Sequence, residues 1–400
     1  MDHRRQEIPL SSDMQTKTPI TEVHASRLRP ILKWAGGKEQ ELKHILPRLP
    51  EKFVNYYEPF VGGGAVYTAV EANRYFINDK SSELIALYRC LSGTHSKAFF
   101  RAIDEVIHNW DILTAVVENH EAFFVSTYAL YSQGKITDDQ TKSKLFAFIV
   151  EHSLEFNGMF TPTFNFNTTN FIRELQVNLV RKIKRMKHLE QKKGVRLPQN
   201  EVMDNVEASL KSAFYMHFRH IYNKADHYRL NEPVKSAIYL FIRNFTYSGM
   251  FRYNASGEFN VPYGGIGYNR KNLAKKIDYL RSKPLAERLS ETTIECGDFE
   301  GFLNQHRPGA KDFMFLDPPY DSEFSTYAQN EFNQGDQKRL RDYLINDCKC
   351  RWMMVVKNTD LIAKLYFKSG LNIEAFDKTY LVSFMNRNDK ECEHLLIRNY

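Results

Sequence analysis

Two consecutive prolines stand one residue beyond the apolar run Phe313-Met314-Phe315-Leu316, with only Asp317 between. Proline has no N–H and drives the residue before it out of the helical region. A strand that reaches Leu316 must therefore stop there. The chain must leave it extended and stiff, with backbone carbonyls that no helix claims. In open α/β sheets, a turn at the C-terminal end of a strand is where ligands bind. Asp317, Pro318, Pro319 and Tyr320 bring a carboxylate, a free carbonyl and an aromatic face to one place. The exocyclic amine of a purine is a poor nucleophile, because its lone pair is delocalised into the ring. Two acceptors, the Asp317 carboxylate and the Pro318 carbonyl, suit the task of holding both of its hydrogens, and Tyr320 suits stacking on the ring. The plainer alternative is a proline-rich strand exit with a capping aspartate.

The order of elements around residues 54–79 favours the first reading. Val54–Pro59 reads as a short buried strand, Gly62-Gly63-Gly64 as a turn, Ala65–Asn73 as a helix and Arg74–Asn78 as a second strand with Asp79 at its end. Strand, glycine turn, helix, strand and acid open a doubly wound α/β domain. The glycines lack the GxxxxGK[ST] of a phosphate loop and fit GxGxxG poorly, because position 67 is Tyr. A carboxylate placed like Asp79 accepts the hydroxyls of an adenosine ribose, which points to a nucleoside-containing cofactor without separating a nicotinamide from S-adenosylmethionine. In Leu32-Lys33-Trp34-Ala35-Gly36-Gly37-Lys38, two glycines between Trp and Lys suggest backbone N–H groups turned to an anion.

Residues 1–26 read as a mobile polar tail. Helical spacing runs through 83–155, an Asn/Thr/Phe-rich loop covers 156–172, and helical spacing resumes over Glu201–Arg243 after a break at Gly194–Asn200. Ser248–Asn272 reads as loop and hairpin. Four further strands are expected at Phe313–Leu316, Met353–Val356, Ile373–Phe376 and His394–Ile397. The α/β material thus lies at both ends, around a helical insertion. The net charge of +7 is concentrated: Arg173–Arg196 holds nine basic and two acidic residues, which is either a solvated helix face or a contact surface for a polyanion such as DNA.

Hydrophobic residues at 42% and charged residues at 26% exclude whole-chain disorder and a collagen-like fibre. Apolar runs such as Phe146–Val150 are far too short to span a membrane. Five scattered cysteines do not make a disulfide framework, and the chain reads as cytoplasmic. Cys348 and Cys350 read as free thiols rather than a zinc site.

LKWAGGK, EPFVGGGAV, an Asp after the next strand and LDPPY, in that order, resemble the Dam-type (D12 class, alpha group) DNA adenine-N6 methyltransferases. Arg243–Gly264 is similar to that family's target-recognition hairpin, and HLLIRNY to its C-terminal ending. The resemblance covers roughly residues 28–90 and 210–400 and is silent over 95–205. It implies a Rossmann-like methyltransferase sheet over 27–94 and 273–400, with a mostly helical target-recognition insertion at 95–272 carrying a hairpin at 244–264. It implies S-adenosylmethionine as cofactor, with no metal, and Trp34, Lys38, Phe60, Gly62, Gly64, Asp79, Asp298, Phe299 and Asp317 around it. Asp317, Pro318, Pro319 and Tyr320 then hold the target adenine, flipped out of the duplex. Lys33, Tyr247, Ser248, Met250, Arg252 and Pro262 fall at DNA-contacting positions, with Ser248 standing where well-known members have Asn. Duplex DNA is the implied partner, GATC the first candidate sequence, and a separately acting restriction endonuclease a candidate second partner. Three rivals are weaker. A nicotinamide oxidoreductase leaves Asp317–Tyr320 unexplained, and a non-catalytic DNA-binding protein leaves the cofactor-like constellation unexplained. The hairpin disfavours an RNA methyltransferase, because A-form RNA hides its major groove.

Overall fold

The computed structural model describes residues 28–34, 36–320, 332–367, 369–379 and 391–400; the tail expected over 1–26 lies outside them. Seven strands form one sheet: β1 Asn55–Glu58, β2 Arg74–Asp79, β3 Thr292–Cys296, β4 Phe313–Leu316, β5 Arg351–Lys357, β6 Asn372–Thr379 and β7 Glu391–Arg398. Their order is β3-β2-β1-β4-β5-β7-β6. β1 to β5 are mutually parallel, and β7 runs antiparallel between β5 and β6. The order reverses between β1 and β4, which are held in register by Tyr57 opposite Met314. This is the topological switch point at which a doubly wound sheet opens a crevice.

The middle of the sheet is buried on both sides because β4 is apolar throughout and β5 and β7 are apolar at successive inner positions. Side chains alternate across a strand. Phe313, Phe315, Met353, Val355 and Leu396 therefore enter one core, and Met314, Leu316, Trp352, Met354, Val356, Leu395 and Ile397 enter a second. The second core is closed by α12 Phe299–His306, α13 Gln334–Asp342 and α14 Asp360–Tyr366 through Phe302, Leu340 and Ile362.

The first core is larger. A one-turn α1 (Leu42–Ile45) precedes β1. Between β2 and β3 come α2 Ser82–Ser92, α3 Ser96–Asn119, α4 Glu121–Ser132, α5 Asp138–Glu151, α6 Ser153–Asn157, α7 Thr168–Lys193, α8 Gln199–Asn223, α9 Glu232–Phe245, α10 Ala274–Leu280 and α11 Lys283–Ser290. Their apolar faces are continuous with the sheet: Leu84 and Tyr88 of α2, Trp110 of α3, Phe214 of α8 and Phe241 of α9 belong to the same buried cluster as Phe313. Local chemistry sets the ends of these helices. Thr137 and Gln140 form a reciprocal capping box at the start of α5. Gly194, with φ of +67°, ends α7 in the left-handed conformation that glycine adopts without strain.

Three departures from the sequence reading have physical causes. Ala65–Asn73 is a series of turns rather than a helix. Its backbone makes Thr68→Gly64 and Val70→Val66 bonds, but Val66, Thr68 and Val70 are β-branched and resist propagation, and the Thr68 hydroxyl itself bonds the Gly64 carbonyl. β3 has no counterpart among the expected strands, because Thr292–Cys296 is a polar, half-buried edge strand with no apolar alternation. The expected loop at 156–172 is shorter, since Asn167 caps α7 through the N–H of Asn170 and starts the helix early. No helix among the described residues is long and apolar enough to cross a membrane.

Candidate active site

The C-terminal ends of β1 and β4 flank the switch point, and the extended Asp317–Tyr320 turn leaves β4 beside Pro59–Gly64 leaving β1. Lys38 lies between them, with its side chain 2% exposed. Its ammonium donates to Asp317 Oδ1 at 2.5 Å, to the Gly36 carbonyl at 2.8 Å and to the Tyr320 hydroxyl at 3.2 Å. An ammonium has three N–H donors, so the protein itself engages all of them. The Tyr320 hydroxyl also lies 3.2 Å from Nε2 of the buried His394. The two proline carbonyls differ. That of Pro319 accepts from the buried Gln337 amide at 3.0 Å, whereas that of Pro318 accepts from no described residue.

The glycine turn is tight for internal reasons. A Cβ on Gly63 would lie 2.2 Å from the Leu32 carbonyl, one on Gly62 2.7 Å from the Trp34 ring, and one on Gly64 2.5 Å from the Tyr88 hydroxyl. The close approach expected of a ligand is thus made, on this side, by the LKWAGGK segment and α2. Asp79, half-buried at the end of β2, accepts the Gly62 N–H at 3.0 Å and the Ser81 N–H at 2.9 Å. Burial raises its pKa from the ordinary value and those N–H bonds oppose the rise. Its strand neighbour across β3 is Cys296, which brings Asp298 alongside. Asp298 caps α12 through the Glu300 N–H and takes a two-pronged bond from Arg339 at 3.1 and 3.0 Å. Its burial favours the neutral acid, yet Arg339 and the capping bond hold the pKa below the usual carboxylate value. Phe60 packs on Phe299 and Phe332 at 5.6 and 5.5 Å between ring centroids. A rigidly held carboxylate, an aromatic wall and a Trp form a fitting set for a nucleoside-bearing cofactor such as S-adenosylmethionine.

The hairpin joins this site through Arg243, at the end of α9. Its guanidinium lies 3.8 Å from the Phe251 ring centroid and 4.8 Å from that of Trp34, and donates to the Lys33 carbonyl at 2.9 Å. Burial pushes its pKa down from the ordinary arginine value. Lys33 itself is exposed beside it. Antiparallel bridges Thr246–Tyr263 and Tyr253–Phe259 close the hairpin. Tyr247, Ser248, Arg252 and Pro262 are exposed, and Met250 is half-buried against the core. The Arg252 Nε donates to Asn260 Oδ1 at 3.1 Å, and the Pro262 carbonyl accepts the Tyr247 N–H at 2.9 Å. Ser248 has φ of +52°, a left-handed conformation that Asn adopts more readily than Ser.

Sequence reasoning missed Gln337, Arg339 and Arg243, whose contacts to the site run to residues distant in sequence. It also missed Asn78, whose amide ties the Pro59 and Gly297 carbonyls together at 3.0 Å each and so gathers three strand ends. Glu58 carried a usable signal: a carboxylate at the end of a strand otherwise read as buried. It is 2% exposed and accepts the Tyr56 hydroxyl at 2.7 Å. Burial raises its pKa well above the ordinary value; the Tyr56 bond opposes this and the charge of Asp317 adds to it.

The model of the D12 class N6 adenine-specific DNA methyltransferases matches residues 34–194 and 172–381. The chain is 24% identical over 381 residues to the type II methyltransferase M1.LlaDCHI of Lactococcus lactis subsp. cremoris, covering 93% of this chain and 96% of that one. It is 25% identical over 392 residues to the type II methyltransferase M.MjaIII of Methanocaldococcus jannaschii (93% and 99% covered) and 23% identical over 372 residues to a DNA adenine methylase of Vibrio cholerae (90% and 92%). A family match across most of the chain places it in the D12 class of N6 adenine-specific DNA methyltransferases.

Proposed function

We propose that this DNA adenine methyltransferase flips an adenine from the duplex and holds its N6 between the Asp317 carboxylate and the Pro318 carbonyl, with Tyr320 against the ring. The observation that carries this assignment is the unequal treatment of the carbonyls: Gln337 takes that of Pro319, whereas that of Pro318 accepts from no described residue and lies next to a carboxylate braced by Lys38. Both acceptors are fixed before the substrate arrives. As the amine attacks and positive charge develops on nitrogen, they meet it without reorganising. S-adenosylmethionine, when bound, supplies the electrophilic methyl group. Asp79 would hold its ribose, Phe60 and Phe299 would face its base, and Trp34 would pack on an apolar edge.

Residues 95–272 form the target-recognition part and 27–94 with 273–400 the catalytic part. Exposed Tyr247 is the wedge and Arg252 the guanine reader, a bidentate pair worth ~1–3 kcal/mol of discrimination. The hairpin's resemblance to that of members that methylate GATC favours GATC as the site; we place the reaction in the cytoplasm, with a separately acting restriction endonuclease as a candidate partner. One experiment tests site and sequence together: express the wild type and Asp317→Ala in a host free of adenine methylation and map N6-methyladenine. The wild type should mark GATC, and the variant should lose ~100- to 1,000-fold in methyl transfer while staying folded. Turnover within about tenfold of wild type would overturn the role of Asp317, and modified adenines outside GATC would overturn the sequence.

A further inference from the structure

Two histidines occupy matching corners of the helical insertion. His120 separates α3 from α4 and His152 separates α5 from α6, with φ/ψ of −113°/24° and −98°/22°. These corners meet, with the imidazole centroids 4.1 Å apart. Glu155, in the first turn of α6, reaches between the rings. Its Oε1 lies 2.8 Å from His152 Nδ1 and 3.3 Å from His120 Nε2. All three ligand atoms fall within 4.8 Å of one another. Phe148 packs under both rings at 5.1 and 4.5 Å, giving an apolar floor. The opposite side is open, with the side chains of His120, His152 and Glu155 22%, 25% and 40% exposed.

We propose that His120 Nε2, His152 Nδ1 and Glu155 form a mononuclear site for a divalent transition-metal ion of the zinc class, separate from the site of methyl transfer. The donor set argues for that class. Two imidazole nitrogens and one carboxylate oxygen suit zinc and its neighbours, whereas magnesium and calcium require oxygen ligands. The geometry agrees: donor atoms around a tetrahedral zinc with bonds of ~2.0–2.2 Å sit roughly 3.3 Å apart, close to the 2.8 and 3.3 Å between Glu155 Oε1 and the two imidazole nitrogens. Three protein ligands leave a fourth position, and the exposed side of the cluster supplies it from water. Binding needs no movement of a helix. Without the ion the two facing nitrogens are placed to donate to Glu155; with it bound, each would present a lone pair there and carry its proton on the other ring nitrogen, so binding displaces those hydrogens. An ion held there ties the α3–α4 corner to the α5–α6 corner, so its effect is on the rigidity of the insertion.

The test uses the full-length protein stripped by a chelator. Zn²⁺ is titrated calorimetrically, and Co²⁺ is added as a spectroscopic probe. One equivalent should bind, Co²⁺ should give the intense visible bands of a tetrahedral nitrogen-ligated ion, and Mg²⁺ should not compete. His120→Gln and His152→Gln should each weaken binding by at least roughly tenfold, leave the thermal midpoint in chelator unchanged and leave methyl transfer intact. Zinc should raise the midpoint of the wild type only. An all-oxygen octahedral Co²⁺ spectrum would overturn the proposal without reference to any variant. So would binding that survives both substitutions, or that disappears only when Cys348 and Cys350, whose sulfurs lie 3.5 Å apart, are changed to Ser.

Discussion

Lys38 is placed to brace the site from within the protein. Family resemblance places it against the cofactor, yet its three donors are engaged by Gly36, Asp317 and Tyr320. If it acts by orienting Asp317, Lys38→Met should lower kcat by ~100-fold and change the affinity for S-adenosylmethionine little. A loss confined to cofactor affinity would return it to the cofactor-binding set. Glu58 acts on stability. Its folded pKa lies well above 4.5 because it is buried. Between the unfolded and folded pKa values the native state therefore holds a proton that the unfolded chain has released. Stability falls as pH rises through that window. Glu58→Gln keeps the shape and removes the ionisation, so urea titrations from pH 5 to 8 should show the variant gaining on wild type as pH rises. Parallel curves would mean that Glu58 does not titrate differently in the folded state.

At the scale of single elements, α7 settles what the basic run is made of. Its apolar side, Phe171, Leu175, Leu179, Ile183 and Met186, is buried against the bundle. Residues advance by ~100° around a helix, so Arg181, Arg185, His188 and Lys192 share one face, and all four are exposed. Asp138 neutralises Lys184, and Lys187 is turned to the Tyr131 carbonyl at 2.8 Å, so neither stands among the cations of this face. A ridge roughly 16 Å long with no acid on its face suits a run of phosphates. Changing Arg181, Arg185 and Lys192 to Gln should weaken binding to all duplexes alike. It should also flatten log K against log salt by roughly 0.9 for each phosphate left without its cation. An unchanged slope would make the ridge a solvated face. The same helix shows what the sequence disclosed. Composition picked out the basic run but not the helix that carries it, whereas spacing located the four late strands and the Asp317–Tyr320 turn, because each is a local pattern. β3 escaped because an edge strand need not alternate. The bracing of the site escaped because Gln337, Arg339 and Arg243 are ordinary surface types until the fold buries or pairs them.

Seen whole, one apolar cluster runs from the Phe313 side of the sheet through α2, α3, α8 and α9 to Phe251 and Tyr263 of the hairpin. Trp110 lies near its centre, against Phe214, Phe241, Phe245 and Tyr263. Trp110→Ala should cost about 3–5 kcal/mol, and calorimetry should record the loss as a shift of a single transition. Two separate transitions would show that insertion and sheet unfold independently. The strand order carries a consequence for how the molecule is made. Tyr57 of β1 pairs with Met314 of β4, and the residues between them leave the ribosome first. At ~5–20 residues per second, β1 waits roughly 13 to 50 seconds for its central partner. During that time the helices can condense around it and cover the edge. The crevice at the switch point is thus among the last features to close during synthesis, and a chain broken off before β4 carries the whole hairpin without the Asp317–Tyr320 turn.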